Sequence, residues 1–183
     1  MCVRSVLMYN KILVPIDGSE TADKALQHSI NLARAISKND SKESNIEIII
    51  IHVIAGLSIP LGFEKPMRSL TTGQIISFSA YIKEMHESMT LRVKEMLFER
   101  KKKYENKISD IHNGTKLVIS TKALVAEYGI SIPDAITKFA DKEKVDLIVV
   151  GNIGLSGISK VKILGSVSRA IVERAGCPVL IVH

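Results

Sequence analysis

Lys11-Ile12-Leu13-Val14-Pro15-Ile16-Asp17-Gly18-Ser19 decides the fold. An apolar run of this length that stops at Asp-Gly-Ser reads as a buried strand ending in a turn. Ser19 then serves as a helix N-cap, and Glu20 and Asp23 place acid in the first turn. Ala22, Ala25, Leu26, Ile30, Ala33 and Ile36 recur at helical spacing, which predicts a helix to about residue 35. After a polar break, residues 46–54 are apolar and β-branched without alternation, as a strand buried on both faces requires.

The rest of the chain repeats this alternation. Residues 56–74 hold Pro60 and Pro66 and show no periodicity, so they read as an unusually long loop of the kind that serves as a lid or interface. Phe78, Ile82, Met85, Met89, Val93 and Met96 step by three and four, which predicts the buried face of a long helix running to about residue 107. A short strand at 116–120 follows. A helix over 132–142 tolerates Pro133 in its first turn, and a strand over 145–150, a helix over 165–175 and a last strand over 178–182 complete the pattern. The order demands an α/β fold: a doubly wound, five-stranded parallel sheet with helices on both faces. Residues 1–9 read as an N-terminal extension and 10–183 as one domain.

Composition agrees and narrows the function classes. A chain of 183 residues suits a single core, and 46% apolar with 24% charged residues excludes a disordered chain. Aromatic residues are 4% and Trp is absent, so the core is aliphatic. No apolar run approaches the ~18 residues that span a bilayer, and the amino-terminal stretch does not read as a secretory signal; the expected location is cytoplasmic. Cys2 and Cys177 give neither a disulfide framework nor a metal spacing. The five histidines show no ligand-like pairing, and Gly-Lys-Ser/Thr is absent, so neither a metal enzyme nor a P-loop ATPase is indicated. The net charge is +6, and residues 83–107 and 151–183 each hold +3 of it. Arg100-Lys101-Lys102-Lys103 lies late in the long helix, where cations suit the macrodipole, and lacks interleaved aromatics; it reads as solvated surface, not a nucleic-acid patch.

In doubly wound sheets ligands bind outside the carboxyl ends of the strands, which directs attention to Asp17, Ile54 and Gly151. From Gly151 the chain reads Gly-Asn-Ile-Gly, then ten residues from Leu155 to Leu164, then Gly165-Ser166-Val167-Ser168 opening a helix. Gly151 and Gly154 permit tight turning and close backbone approach, and free amides at Gly165 to Val167 would present positive charge to an anion. The spacing alone fits equally a chain that merely turns and a Ser166 that merely caps its helix. Asp17 has the same two readings, ligand contact or a cap on the turn.

The stretch from Ile12 to Glu20, Asp146-Leu147-Ile148-Val149-Val150-Gly151-Asn152-Ile153-Gly154, Gly165-Ser166-Val167-Ser168 and Cys177-Pro178-Val179-Leu180-Ile181-Val182 together resemble the universal stress protein family. The likeness runs over nearly the whole chain from Asn10. The family's nucleotide-binding branch carries Gly, two residues, Gly, nine residues, then Gly and Ser or Thr; this chain has ten in the middle, a departure by one.

The resemblance implies a Rossmann-like fold of the adenine nucleotide alpha hydrolase type and an ATP-binding regulator of the stress response. AMP, ADP and cyclic AMP are alternative ligands, and Mg²⁺ would arrive with the nucleotide. Pro15, Ile16 and Asp17 match the strand end bordering adenine and ribose, and Val53 matches the residue lining the base. Val150, Gly151 and Gly154 match the first turn near ribose and phosphates, and Gly165, Ser166 and Val167 match the phosphate-binding helix start. Lys160 and Lys162 are candidate phosphate contacts. The resemblance also implies a homodimer through residues 178–182. The residues show no catalytic constellation, neither a general base nor a metal cluster, so hydrolysis is expected to be at most slow. A nucleotide-free structural dimer is the alternative, motivated by the extra loop residue. An anion at a helix end gains about 0.3–2 kcal/mol, whereas micromolar affinity needs about 8 kcal/mol. Burial of the base at Val53 and hydrogen bonding near Asp17 must therefore supply most of the affinity.

Overall fold

A computed structural model describes residues 9–39, 45–57, 62, 65–108, 116–155 and 164–183. The elements are β1 (Lys11–Pro15), α1 (Glu20–Asn39), β2 (Asn45–Ile54), β3 (Met67–Arg68), β4 (Ile75–Ile76), α2 (Phe78–Ile108), β5 (Lys116–Val125), α3 (Ile132–Glu143), β6 (Leu147–Gly151), α4 (Ser166–Arg174) and β7 (Val179–Val182). Five strands form one parallel sheet in the order β5-β2-β1-β6-β7, so the doubly wound α/β architecture is the one observed. Leu13 pairs with Ile49 on one side and with Ile148 on the other, which places β1 at the centre.

The unbroken apolar runs are explained by two cores. Ile12, Val14, Ile48, Ile50, Leu147 and Val149 face α1 and α2, joined by Ala25, Leu26, Ile30, Leu97 and Tyr104. Leu13, Ile49, Ile51, Val53, Ile148 and Val150 face α3 and α4 with Ile136, Ala140 and Ile171. Successive side chains of a strand point to opposite faces, so covering both faces requires every position to be apolar.

Four expectations need correction. The strand at 116–120 extends to Val125, because β5 is an edge strand whose burial is mixed: Lys116, Val118, Lys122 and Val125 are exposed, which breaks the apolar signal. The second half of the loop at 56–74 is ordered: Met67 pairs antiparallel with Ile76, and Gly73 takes φ +72 in the connecting turn. Glu84 of α2 accepts from the Ser69 hydroxyl and the Leu70 amide, both at 2.8 Å, and ties this hairpin down. The stripe from Phe78 to Met96 is only partly buried, and Met89 is 40% exposed. The deep contacts of α2 come later, at Leu97 and Tyr104, where the helix passes over the first core. There Arg100 donates to Asp23 of α1 at 2.8 Å, so the start of the basic run is an anchor and not free surface.

Candidate functional site

The reversal of strand order falls between β1 and β6, which brings the ends of those strands together as the sheet's switch point. The turn after β1 is fixed first. Gly18 adopts φ +94, a left-handed conformation that glycine takes without steric cost. Asp17 Oδ1 then accepts from the Ser19 amide at 2.9 Å. Ser19 Oγ accepts from the Ala22 amide at 3.2 Å, capping α1 as its sequence position predicts.

The other wall is the segment following β6, and it is bonded to its surroundings from four sides. Asp17 Oδ2 accepts from the Leu155 amide at 2.9 Å. Thr21, in the first turn of α1, donates its hydroxyl to the Ile153 carbonyl. The Gly165 amide donates to the Asn152 carbonyl at 2.7 Å, and the Ser168 hydroxyl donates to the Gly151 carbonyl at 2.7 Å. Asn152 in turn donates its amide to Val182 of β7 at 2.8 Å. Its buried side chain meets His183 Nδ1 through Nδ2 at 3.0 Å, and Oδ1 has no hydrogen-bond partner among the described residues.

Gly151 and Gly154 both have negative φ, so turning does not require glycine at either place. Close approach does. A Cβ on Gly151 would lie 2.7 Å from Thr21 Oγ1 and 2.8 Å from the Thr21 carbonyl carbon, and one on Gly154 would lie 2.5 Å from Asp17 Oδ2. At both places glycine is required by close packing within the chain, against Thr21 for Gly151 and against the Asp17 carboxylate for Gly154.

Burial works against the charge on Asp17, but hydrogen bonds from the Ser19 hydroxyl and amide and from the Leu155 amide outweigh it. The carboxyl is held below its ordinary range. A carboxylate so stabilised is a poor proton acceptor and a good structural anchor.

α4 begins at Ser166, and its N-cap, Gly165, offers no side-chain cap. Ser166 is therefore not the N-cap, because Gly165 occupies that position. Of the three amides expected to face an anion, that of Gly165 is spent on Asn152, which leaves Ser166 and Val167 as the exposed start of the helix.

Asp17, Gly151, Gly154, Gly165, Ser166 and Val167 thus lie together where the ends of β1 and β6 meet the start of α4. Pro15 ends β1 and Ile16 follows it, both buried, and the Ile16 amide donates to the Ile51 carbonyl at 2.8 Å. Val53 and Val150 are 8% and 6% exposed and belong to the core beneath α3 and α4. Ile54 is bonded away from the crevice, since its carbonyl accepts from Ala126 at 2.9 Å. Lys160 and Lys162 lie outside the described residues. Among those residues no cluster of three metal-ligating side chains occurs, and no helix is long and apolar enough to cross a membrane.

Sequence reasoning missed Thr21, Asn152, Ser168 and His52. His52 Nδ1 lies 2.8 Å from the Ile16 carbonyl and links the end of β2 to the turn at Asp17. Its one sequence signal is that it is the polar residue interrupting an apolar run.

The universal stress protein family model matches residues 8–74 and 79–183. The chain is similar to the universal stress protein YxiE of Bacillus subtilis, with 31% identity over 185 residues, covering 96% of this chain and 100% of that one. It is similar to the solved structure of MJ0577 from Methanocaldococcus jannaschii, with TM-score 0.64 and 28% identity over 96% of each chain. A universal stress protein from Archaeoglobus fulgidus, solved in complex with dAMP, shares the fold with TM-score 0.52 and 20% identity, covering 96% of this chain and 98% of that one.

Proposed function

The chain belongs to the universal stress protein family, and on that premise we propose that it binds an adenine nucleotide, ATP foremost, across the crevice between β1 and β6. The reading is of a cytoplasmic nucleotide-responsive regulator, with the bound nucleotide ordering the glycine-rich loop into a surface that a partner or second subunit reads.

The observation that carries it is the juxtaposition at the switch point. The turn at Asp17, the segment 151–154 and the uncapped, exposed start of α4 meet where doubly wound sheets take their ligands. Phosphate would lie against the amides of Ser166 and Val167, with Lys160 and Lys162 as further contacts. Ribose and base would lie toward Pro15, Ile16, Asp17 and Val53. The dAMP bound by the Archaeoglobus fulgidus protein supports the ligand class. Mg²⁺ would be carried by the phosphates. Binding is the function in this reading, because the acidic group in the crevice, Asp17, holds its charge in hydrogen bonds and is poorly suited to activating water.

One observation favours a second reading, a nucleotide-free dimer of the same fold. The Leu155 amide on Asp17 and the Gly165 amide on Asn152 satisfy within the chain two groups that a nucleotide would otherwise approach. The dimer itself is common to both readings, and the position of β7 at the sheet edge supports pairing through residues 178–182.

Isothermal titration with ATP and Mg²⁺ tests the proposal. Measurable heat in the wild type is expected, and loss of it in a folded Gly165→Val variant, where a branched side chain grows from a Cβ position only 3.1 Å from the Asn152 carbonyl oxygen. No heat at millimolar nucleotide, with no nucleotide in the mass spectrum of natively purified protein, would sink the nucleotide reading and leave the structural dimer.

A further inference from the structure

α2 is 31 residues long, and its inner side is fixed by Leu97 and Tyr104 in the first core and by Arg100 on Asp23. These anchors determine what its outer side presents. At 3.6 residues per turn Glu87, Leu91, Lys94, Glu95, Phe98 and Lys102 fall within about 100° of arc, and all six are exposed. Leu91 is 61% and Phe98 59% exposed, and the two stand seven residues apart, in line along the helix. Among the described residues none of Glu87, Lys94, Glu95 and Lys102 takes part in an ion pair. Leu91 also borders an apolar groove of about 750 Å³, whose other walls include Leu57, Ile82 and Val125.

We propose that this face of α2 is a self-association surface, on which α2 of a second copy packs antiparallel with its Phe98 on Leu91, at the mouth of the groove. The charge pattern selects the occupant and the register. When Leu91 lies opposite the partner's Phe98, Glu87 lies opposite the partner's Lys102 and Lys94 opposite the partner's Glu95. The two-fold axis repeats each pair, giving four attractive pairs and two apolar contacts from one sequence. Glu84 and Glu105 also come level in this register, a like-charge pair at each end that subtracts from the attraction and is partly offset by Lys101, which pairs with Glu105 at 3.5 Å. A parallel in-register pair would instead stack every charge on its like. With only two large apolar side chains per copy the contact is of the weak, transient class. It lies beside β5, at the opposite edge of the sheet from β7, so any pairing through β7 leaves it free.

Sedimentation velocity on the full chain over a concentration series tests the proposal. The wild type should show reversible association that weakens as salt rises. Glu87→Lys, which sets lysine against the partner's Lys102, should weaken it about tenfold, and adding Lys102→Glu should restore it. Leu91→Asp with Phe98→Asp should remove this salt-sensitive step, leaving any pairing through β7, while the circular dichroism of the fold is unchanged. Wild-type association equal to that of the Leu91→Asp/Phe98→Asp variant, or failure of the charge swap to restore what Glu87→Lys removes, would overturn the proposal.

Discussion

Replacing Asp17 by Asn tests whether the carboxylate locks the crevice. The wild-type carboxylate accepts from the Ser19 amide through one oxygen and from the Leu155 amide through the other, both at 2.9 Å. Asparagine keeps one oxygen, which can still serve Ser19. Its NH₂ group then faces the Leu155 N–H, donor against donor, and that bond is lost. A hydrogen bond to a charged group contributes about 1.5–3 kcal/mol and a neutral one about 0.5–1.5. Losing one charged bond and neutralising the other therefore amounts to about 2–4 kcal/mol in a dry site. Asp17 is only partly buried, so water replaces part of this, and about 1–2 kcal/mol is expected. The pH dependence separates this account from a simple packing defect. The folded-state pKa of Asp17 is lowered, so its contribution is fully present above the unfolded carboxyl pKa of about 3.9 and disappears as pH falls through the folded value. Urea unfolding of wild type and Asp17→Asn should show the gap at neutral pH and its closure in acid, while hydrogen exchange at Leu155 quickens in the variant at neutral pH. Equal stabilities at neutral pH, or a gap that persists undiminished at low pH, would refute the reasoning.

Three further outcomes follow from the same geometry. Gly151→Ala should destabilise by about 1–3 kcal/mol in urea unfolding, because its Cβ meets the Thr21 backbone; Gly154→Ala should cost less, since the obstacle there is the end of the Asp17 side chain. Ser168→Ala removes the donor to the Gly151 carbonyl at a buried position, and a loss of about 1–3 kcal/mol in thermal or chemical unfolding is expected. Burial, with Asp141 and Asp146 adding to it, pushes the Cys177 thiol up, so iodoacetamide labelling at neutral pH followed by mass spectrometry should find it slower than in the unfolded chain.

The fold was legible because two covered sheet faces demand continuous apolar strands, and Ile12 to Val14, Ile48 to Ile51 and Leu147 to Val150 supply them. Legibility failed where burial is partial. β5 lies at an edge, and its exposed Val118, Lys122 and Val125 blur both the alternating and the continuous pattern. The first turns of α2 show the converse failure. Their methionine stripe has the period of a buried face, yet period records only which side of a helix is apolar, and depth depends on what lies beneath. The hairpin of β3 and β4 has two-residue strands, too short to leave any periodic trace, and its tie to Glu84 joins residues fifteen apart that no local rule connects.

The crevice was legible in its glycines and illegible in its bonds, and the reason is chemical. Its walls are held largely through main-chain groups: the carbonyls of Gly151, Asn152 and Ile153 and the amides of Leu155 and Gly165. Every residue but proline carries an amide, so sequence cannot say which amides are spent. Spacing therefore offered three donors at the start of α4, and the structure removes one of them by giving the Gly165 amide to Asn152. The same economy changes what a ligand must do. In the proposed site a phosphate at α4 would meet the remaining amides of Ser166 and Val167 without displacing a hydrogen bond described above, whereas a group that seeks the second oxygen of Asp17 would compete with the Leu155 amide. Affinity in the proposed site is thus coupled to whether that bond is kept, and a nucleotide that keeps it would bind to a loop whose first turn is already fixed.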